Sequence, residues 1–243
     1  MADAYPPSTI VWGAATHVIA FAATTSPARN GTLSLTETSL TPAIMTSLST
    51  AAHAHSKKAL VSIGGAGDTN WDAACNATNR ATFVANAINL MTTNGFDGID
   101  LDIEQDFTHA NYTACVAAFR TAINAHPNHL LTMAADPDWQ QSMVTLVWQY
   151  LDQINLMSYW STIAQLSGQV ANYTSLGIPK SKLGIGIGNV GSDSELDTTG
   201  PRCAAKAQYS ITNGMGGIMV WIAQEQGDHA GTPCQSALVP YVT

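Results

Sequence analysis

Charge is what this sequence has least of. Only 11% of its 243 residues are Asp, Glu, Lys or Arg, and nine are basic, giving a net charge of −8. No basic stripe is present to neutralise phosphates, which argues against a nucleic acid partner. The same deficit argues against an anionic membrane surface, and no apolar run approaches the ~20 residues of a membrane-spanning helix. Cysteine is sparse too: Cys75, Cys115, Cys203 and Cys234 form neither CxxC nor a Cys/His ligand spacing, and the seven histidines are scattered without HExxH. A metal centre is therefore not expected. No GxGxxG opens a helix after the first strand and no GxxxxGK[ST] occurs, so no nucleotide cofactor is expected either.

The acidic balance favours a neutral or cationic partner, and the chain is expected to act as a monomer. Four cysteines allow two disulfides, and chain order suggests Cys75–Cys115 and Cys203–Cys234; four buried free thiols are an equal alternative. The opening MADAYPP lacks the charged-then-apolar layout of a secretory leader. Sequons at Asn30, Asn76, Asn111 and Asn172 nevertheless fit secretion, and an extracellular protein whose leader lies outside this sequence is expected.

Strand-like apolar runs alternate with helical patterns along the chain. The strand candidates are residues 16–22, 59–65, 96–103, 129–135, 153–159, 182–188 and 216–222. Helical periodicity lies between them, as in RATFVANAINLMTTNG, where Gly95 supplies a C-terminal stop. DWQQSMVTLVWQYL reads as a helix as well. This alternation predicts a parallel sheet, either a (β/α) barrel or a doubly wound sheet. Polar residues gather at the C-terminal ends of several strands, where a barrel builds its site. The expectation is a single TIM-type (β/α) barrel domain over residues 1–243, without an insertion domain. Seven strands are clear where such a barrel has eight. YPPSTIVWGAA, before the first, reads as a loop and short helix, so the first strand is missing or irregular.

One stretch breaks the charge deficit. GFDGIDLDIEQ carries Asp97, Asp100, Asp102 and Glu104 within eight positions, interleaved with Ile and Leu. On a strand, residues two apart share a face, so Asp100, Asp102 and Glu104 point one way with Gly98, while Asp97 points the other way and braces the strand. Burial and mutual repulsion raise carboxylate pKa values, so at least one proton is retained near neutrality. A carboxyl that keeps its proton can serve as a general acid. A divalent cation site is the alternative, disfavoured because alternation lines the groups up rather than closing them around a point.

DGIDLDIE resembles the DGxDxDxE signature of the family-18 glycoside hydrolases, the chitinases and their relatives. LVSIGG resembles that family's SxGG strand, THVIAFA its second strand, TMAA its fifth, NLMSY its sixth, IPKSKLGIGIG its seventh with its approach, and GGIMVW its last. The resemblance runs from about residue 5 to 225 and matches the strand shortfall, since members normally carry one more strand first.

The resemblance implies an endo-acting chitinase that retains anomeric configuration by substrate assistance. The substrate's 2-acetamido oxygen attacks the anomeric carbon and forms an oxazolinium ion. Glu104 would protonate the glycosidic oxygen and later deprotonate water, Asp102 would bind the acetamido N–H, and Asp100 would share a proton with Asp102. Tyr159 would bond the acetamido carbonyl, and Trp221 would stack under the sugar. Met133 and Met157 are expected along the pocket wall, with Phe21 a further substrate contact. Ser62, Gly64 and Gly65 match SxGG, the serine supporting the inner aspartate and the glycines allowing close backbone approach. Trp160 stands where relatives commonly have Asp or Asn, and Asn189 and Val190 where many have an aromatic followed by Gly-Arg. Trp71, Trp139 and Trp160 follow strand ends and are candidate sugar platforms. Fewer than thirty residues separate the last two strands, leaving no room for the α+β insertion of many processive chitinases, so the groove is expected to be shallow and open. The partner is thus chitin or a chitooligosaccharide. An endo-β-N-acetylglucosaminidase acting on N-glycan cores, or a non-catalytic chitin-binding lectin, are the alternatives on the same fold.

Overall fold

The computed structural model describes residues 6–36, 38, 40–105, 107–188, 200–221 and 233–242. In chain order it contains β1 (His17–Thr25), β2 (Leu33–Ser34), α1 (Pro42–Ala54), β3 (Lys58–Gly64), α2 (Trp71–Ala74), α3 (Arg80–Thr93), β4 (Gly98–Asp102) and α4 (His109–Ile123). It continues with β5 (Leu130–Ala135), α5 (Gln141–Thr145), β6 (Gln153–Leu156), α6 (Ile163–Ser175), β7 (Leu183–Gly188), α7 (Gly200–Thr212), β8 (Gly217–Trp221) and α8 (Pro233–Leu238). The chain falls into two compact units.

The first unit holds His17–Ala134 and Leu146–Asp152. Its strands run β2-β1-β3-β4-β5, parallel except that the two-residue β2 pairs antiparallel with Thr24 and Thr25 at the end of β1. The strands are apolar because parallel strands are covered on both faces. Every residue of β4 is buried, the two aspartates included. Outside the sheet, Trp71 meets Phe83 edge-on at 5.4 Å, and Phe83 meets Phe119 likewise at 5.7 Å. These rings join α2, α3 and α4, each contributing about 1.5–3 kcal/mol by burial. The Cys75–Cys115 disulfide ties the end of α2 to α4. Helix α1 begins on Thr41, whose side chain accepts from the Ile44 amide, with Pro42 in the first turn, a sequence-encoded start.

The second unit holds the segment ending at Thr16, then Ala135–Thr145, and the chain from Gln153 onward. Strands β6, β7 and β8 are parallel and adjacent in that order. Helix α6 opens on a capping box between Thr162 and Gln165. The Cys203–Cys234 disulfide joins α7 to α8, within a small core of Ile187, Ala207 and Leu238. Both disulfides thus follow the chain-order pairing, and among the described residues no cysteine is free.

Besides β2, seven strands are present among the described residues, matching the seven read from the sequence. No described strand precedes β1: Pro7–Thr9 and Trp12–Ala14 are 3-10 turns. Two expectations need correction. The helix expected over DWQQSMVTLVWQYL is broken into the five-residue α5 and a 3-10 turn at Trp148–Tyr150. The sixth strand stops at Leu156 rather than Tyr159, because the Ser158 amide turns back to donate to the Leu156 carbonyl at 2.8 Å.

Candidate active site

In the first unit, the register places Ser62 beside Asp100 and Gly64 beside Asp102 on one flank. Thr132 and Ala134 lie opposite the same two aspartates on the other flank. Residues in register share a face, so Asp100 and Asp102 stand among small side chains, and two hydroxyls turn toward the deeper one. Ser62 Oγ donates to Asp100 Oδ2 at 3.2 Å and Thr132 Oγ1 donates to Asp100 Oδ1 at 2.5 Å. Burial pushes the Asp100 carboxyl up, and the hydrogen bonds from Thr132 and Ser62 oppose that shift.

Asp102 is pushed up to about 8, first by burial, then by the charges of Glu104 and Asp100, and by a side-chain hydrogen bond with Glu104. Such a bond between two carboxyl groups needs a proton, which the pair keeps at neutral pH. Glu104 lies two residues beyond the end of β4 and is only half-buried. Asp102 Oδ1 is buried without a hydrogen-bond partner, a costly state that a ligand N–H donor would relieve.

The ends of β3 and β4 are held together by glycines. A Cβ on Gly64, whose φ is +115°, would stand 2.0 Å from the Asp102 carbonyl oxygen, and the Gly65 amide donates to that same oxygen at 2.9 Å. Only glycine fits such an approach. Gly98 lets β4 meet β5 at its other end, since a Cβ there would lie 2.4 Å from the Leu130 carbonyl oxygen. Asp97 faces away from the other acids: its Oδ2 accepts from the Ala59 amide at 2.8 Å and pairs with His53 Nε2 at 2.9 Å. Phe21 is 41% exposed, and its ring lies against Gly65.

In the second unit, Tyr159 is buried and its hydroxyl donates to Met219 Sδ at 3.7 Å. Trp160 packs edge-on against Tyr159 at 5.6 Å and is 62% exposed. Met157 is half-buried, its amide donating to the Ala135 carbonyl. Trp221, also half-buried, ends β8 opposite Gly188. Trp139, 47% exposed, sits in a pinned loop. Asp136 Oδ1 accepts from the amides of Asp138 and Trp139, and Gln169 on α6 donates to the Asp138 carboxylate.

Two expected sugar contacts are corrected. Met133 lies on the face of β5 opposite Thr132 and Ala134, where its Sδ accepts from the Tyr112 hydroxyl on α4. It therefore faces the helices and not the acidic residues. Trp71 is 1% exposed in the aromatic core and presents no free ring face. Asn189 and Val190 lie outside the described residues. Two polar residues went unnoticed in the sequence. Thr132 was identifiable, since it shares parity with Ala134 on a neighbouring strand. Lys206 was signalled by its place at helical spacing from Cys203 and Ser210, both buried on α7.

The glycosyl hydrolases family 18 model matches residues 3–202. Among curated proteins, Chitinase 1 of Aphanocladium album is 33% identical over 132 residues, covering 48% of this chain and 30% of that protein. Di-N-acetylchitobiase of Bos taurus is 44% identical over 59 residues, covering 24% of this chain and 33% of that protein. The matches thus span about a third of each relative. Among solved structures, a class V chitinase from Nicotiana tobaccum in complex with NAG4 superposes with a TM-score of 0.81 at 17% identity, covering 98% of this chain and 95% of that one. The Ostrinia furnacalis group IV chitinase gives 0.79 at 14% identity, covering 98% and 94%. These likenesses show the fold class, the TIM-type (β/α) barrel of the chitinases with one strand missing or irregular. With the family model matching most of its length, the chain belongs to the glycosyl hydrolases family 18.

Proposed function

We propose that this chain is an endo-acting chitinase, cleaving β-1,4-linked N-acetylglucosamine chains with retention through the substrate's own acetamido group. The observation that carries the reading is the Asp102–Glu104 pair: two hydrogen-bonded carboxyls that keep a proton at neutral pH, with Asp102 Oδ1 buried and unpartnered. Asp102 accepts the acetamido N–H, which aims the carbonyl oxygen at the anomeric carbon. Glu104, on the exposed side of the pair, gives its proton to the departing glycosidic oxygen. The oxazolinium cation then forms beside preorganised negative charge, where such charge is most effective. Glu104 takes a proton back from the water that opens the ring. Asp100, fixed by Ser62 and Thr132, tunes the protonation of Asp102.

Tyr159 bonds the acetamido oxygen in this reading, and Trp221 supports the sugar, with Met157 beside it. Trp160, Trp139 and Phe21, all exposed, contact further sugars in this reading. The connection from Gly188 to Gly217 is too short for an added domain, which supports an open groove and internal cleavage. We assign the chain the chitooligosaccharide that the tobacco relative holds as NAG4, and take it as a single catalytic domain, monomeric and extracellular. The test is Glu104→Gln assayed on chitotetraose by chromatography of the products. The expected result is a loss of at least about 10³-fold in kcat with the fold intact, in line with removal of an acid that other catalysis cannot replace. Full activity in the variant would overturn the assignment.

A further inference from the structure

We propose that Lys206 is a positioning residue that fixes Tyr159, and so sets the efficiency of the chemical step rather than substrate affinity. The proposal rests on the catalytic role given to Tyr159 above. Lys206, on α7, is 2% exposed. Its ammonium donates to three backbone carbonyls: Ser158 at 2.8 Å, Gly186 at 3.2 Å and Tyr159 at 3.3 Å. An ammonium has three protons to donate, so one lysine can hold all three carbonyls at once. A buried charge is costly unless bonded in this way, and an apolar side chain would fill the same volume without that cost. These three bonds fix geometry: they clamp the turn after β6 to the end of β7.

That turn carries Tyr159, whose ring and hydroxyl have further neighbours. Gly186 passes close to the ring, since a Cβ there would come 2.9 Å from Tyr159 Cε1. Trp160 stands edge-on to the ring, and Met219 Sδ receives the hydroxyl. Ser158 adds a second tie, its Oγ accepting from the Gly186 amide at 3.2 Å. Helix α7 is itself anchored by the Cys203–Cys234 disulfide one turn before Lys206, so the ammonium acts from a fixed base. A strand ending at Leu156 does not by its own alternation aim a side chain three residues later. The lysine clamp supplies that aim. Displacing a reacting-group contact by about 1 Å can cost on the order of 10²-fold in rate.

The test uses Lys206→Leu and the milder Lys206→Gln, each alone and with Tyr159→Phe. In the folded variants kcat on chitotetraose should fall about tenfold to a hundredfold while KM stays within about threefold. In the Tyr159→Phe background the same lysine changes should cost less than about twofold, because the group they act through is gone. Equal losses in both backgrounds overturn the proposal, as does failure of both lysine variants to fold, which would assign Lys206 to the fold itself. A second readout needs no activity. In protein labelled at the methionine methyls, the Met219 signal, assigned by Met219→Leu, should move in Lys206→Leu while those of Met45 and Met91 stay in place. An unmoved Met219 signal overturns the proposal. Should the wild-type protein leave chitotetraose uncut, the proposed function fails, and the Met219 signal still decides the role of Lys206.

Discussion

Asp102→Asn perturbs the proton that the site depends on, and its consequences can be worked from the structure in three assays. Burial and the neighbouring carboxyls push Asp102 up to about 8 against an ordinary 3.8, so at pH 7 the Asp102–Glu104 pair keeps one shared proton, and Asp102 is protonated in one of the pair's two forms. Asparagine mimics that protonated form in shape and charge. The folded protein should therefore tolerate it near neutrality. In the wild type, a carboxyl raised above its unfolded value favours folding fully only below about pH 4. That contribution is lost as pH rises through the folded value near 8, because the folded site resists ionisation. The variant has no such loss. Its unfolding free energy in urea should exceed that of the wild type by a few kcal/mol, on the order of the one-unit-per-1.36 kcal/mol conversion, at pH 9 but not at pH 4. Activity moves the other way: without a carboxylate beside the developing cation, kcat should fall about 10- to 150-fold, the worth of a hydrogen bond to a charged group. The alkaline limb of kcat/KM should also shift. Two carboxylates about 4 Å apart repel by about 4 kcal/mol at an effective dielectric constant of 20. Glu104 is half-exposed, so we expect a third to a half of that, a limb about 1–1.5 pH units lower on a fluorogenic chitobioside. An unmoved limb, with no stability gain at pH 9, would refute the shared-proton reasoning.

Two further changes test how the site is held. Gly64→Ala forces a Cβ to within 2.0 Å of the Asp102 carbonyl oxygen at a φ of +115°; we expect a loss of about 3 kcal/mol or more in urea unfolding, and turnover reduced because Asp102 is pushed aside. Replacing Cys75 and Cys115 together with alanine opens a link across 40 residues and should lower unfolding free energy by about 4 kcal/mol by the loop-entropy relation, with KM for chitotetraose little changed.

The acidic strand was legible because alternation is a backbone property: once β4 is a strand, Asp100 and Asp102 must share a face, and Gly98 and Gly64 must sit where strands crowd. The same rule placed Asp97 on the opposite side, where it binds Ala59 and His53. The rule fails where the strand does. Met133 was read as a pocket residue although its parity, one off from Thr132, sends it to α4. Tyr159 was read on a strand that ends at Leu156, and what holds it is a lysine 47 positions later, a contact no local pattern encodes. Trp71 followed a strand end as Trp139 and Trp160 do, but rings at 83 and 107 enclose it. Whether an aromatic is a platform or a core residue depends on tertiary neighbours, which spacing does not carry.

The central claim is that the nucleophile comes from the substrate. The direct measurement compares kcat/KM for a fluorogenic chitobioside with that for the matching cellobioside, which differs in having hydroxyls where the acetamido groups stand. An intramolecular nucleophile is worth an effective molarity of 10⁵ M or more, so the account predicts that the cellobioside is cut at least about 10³-fold more slowly. Comparable rates on the two substrates would contradict it.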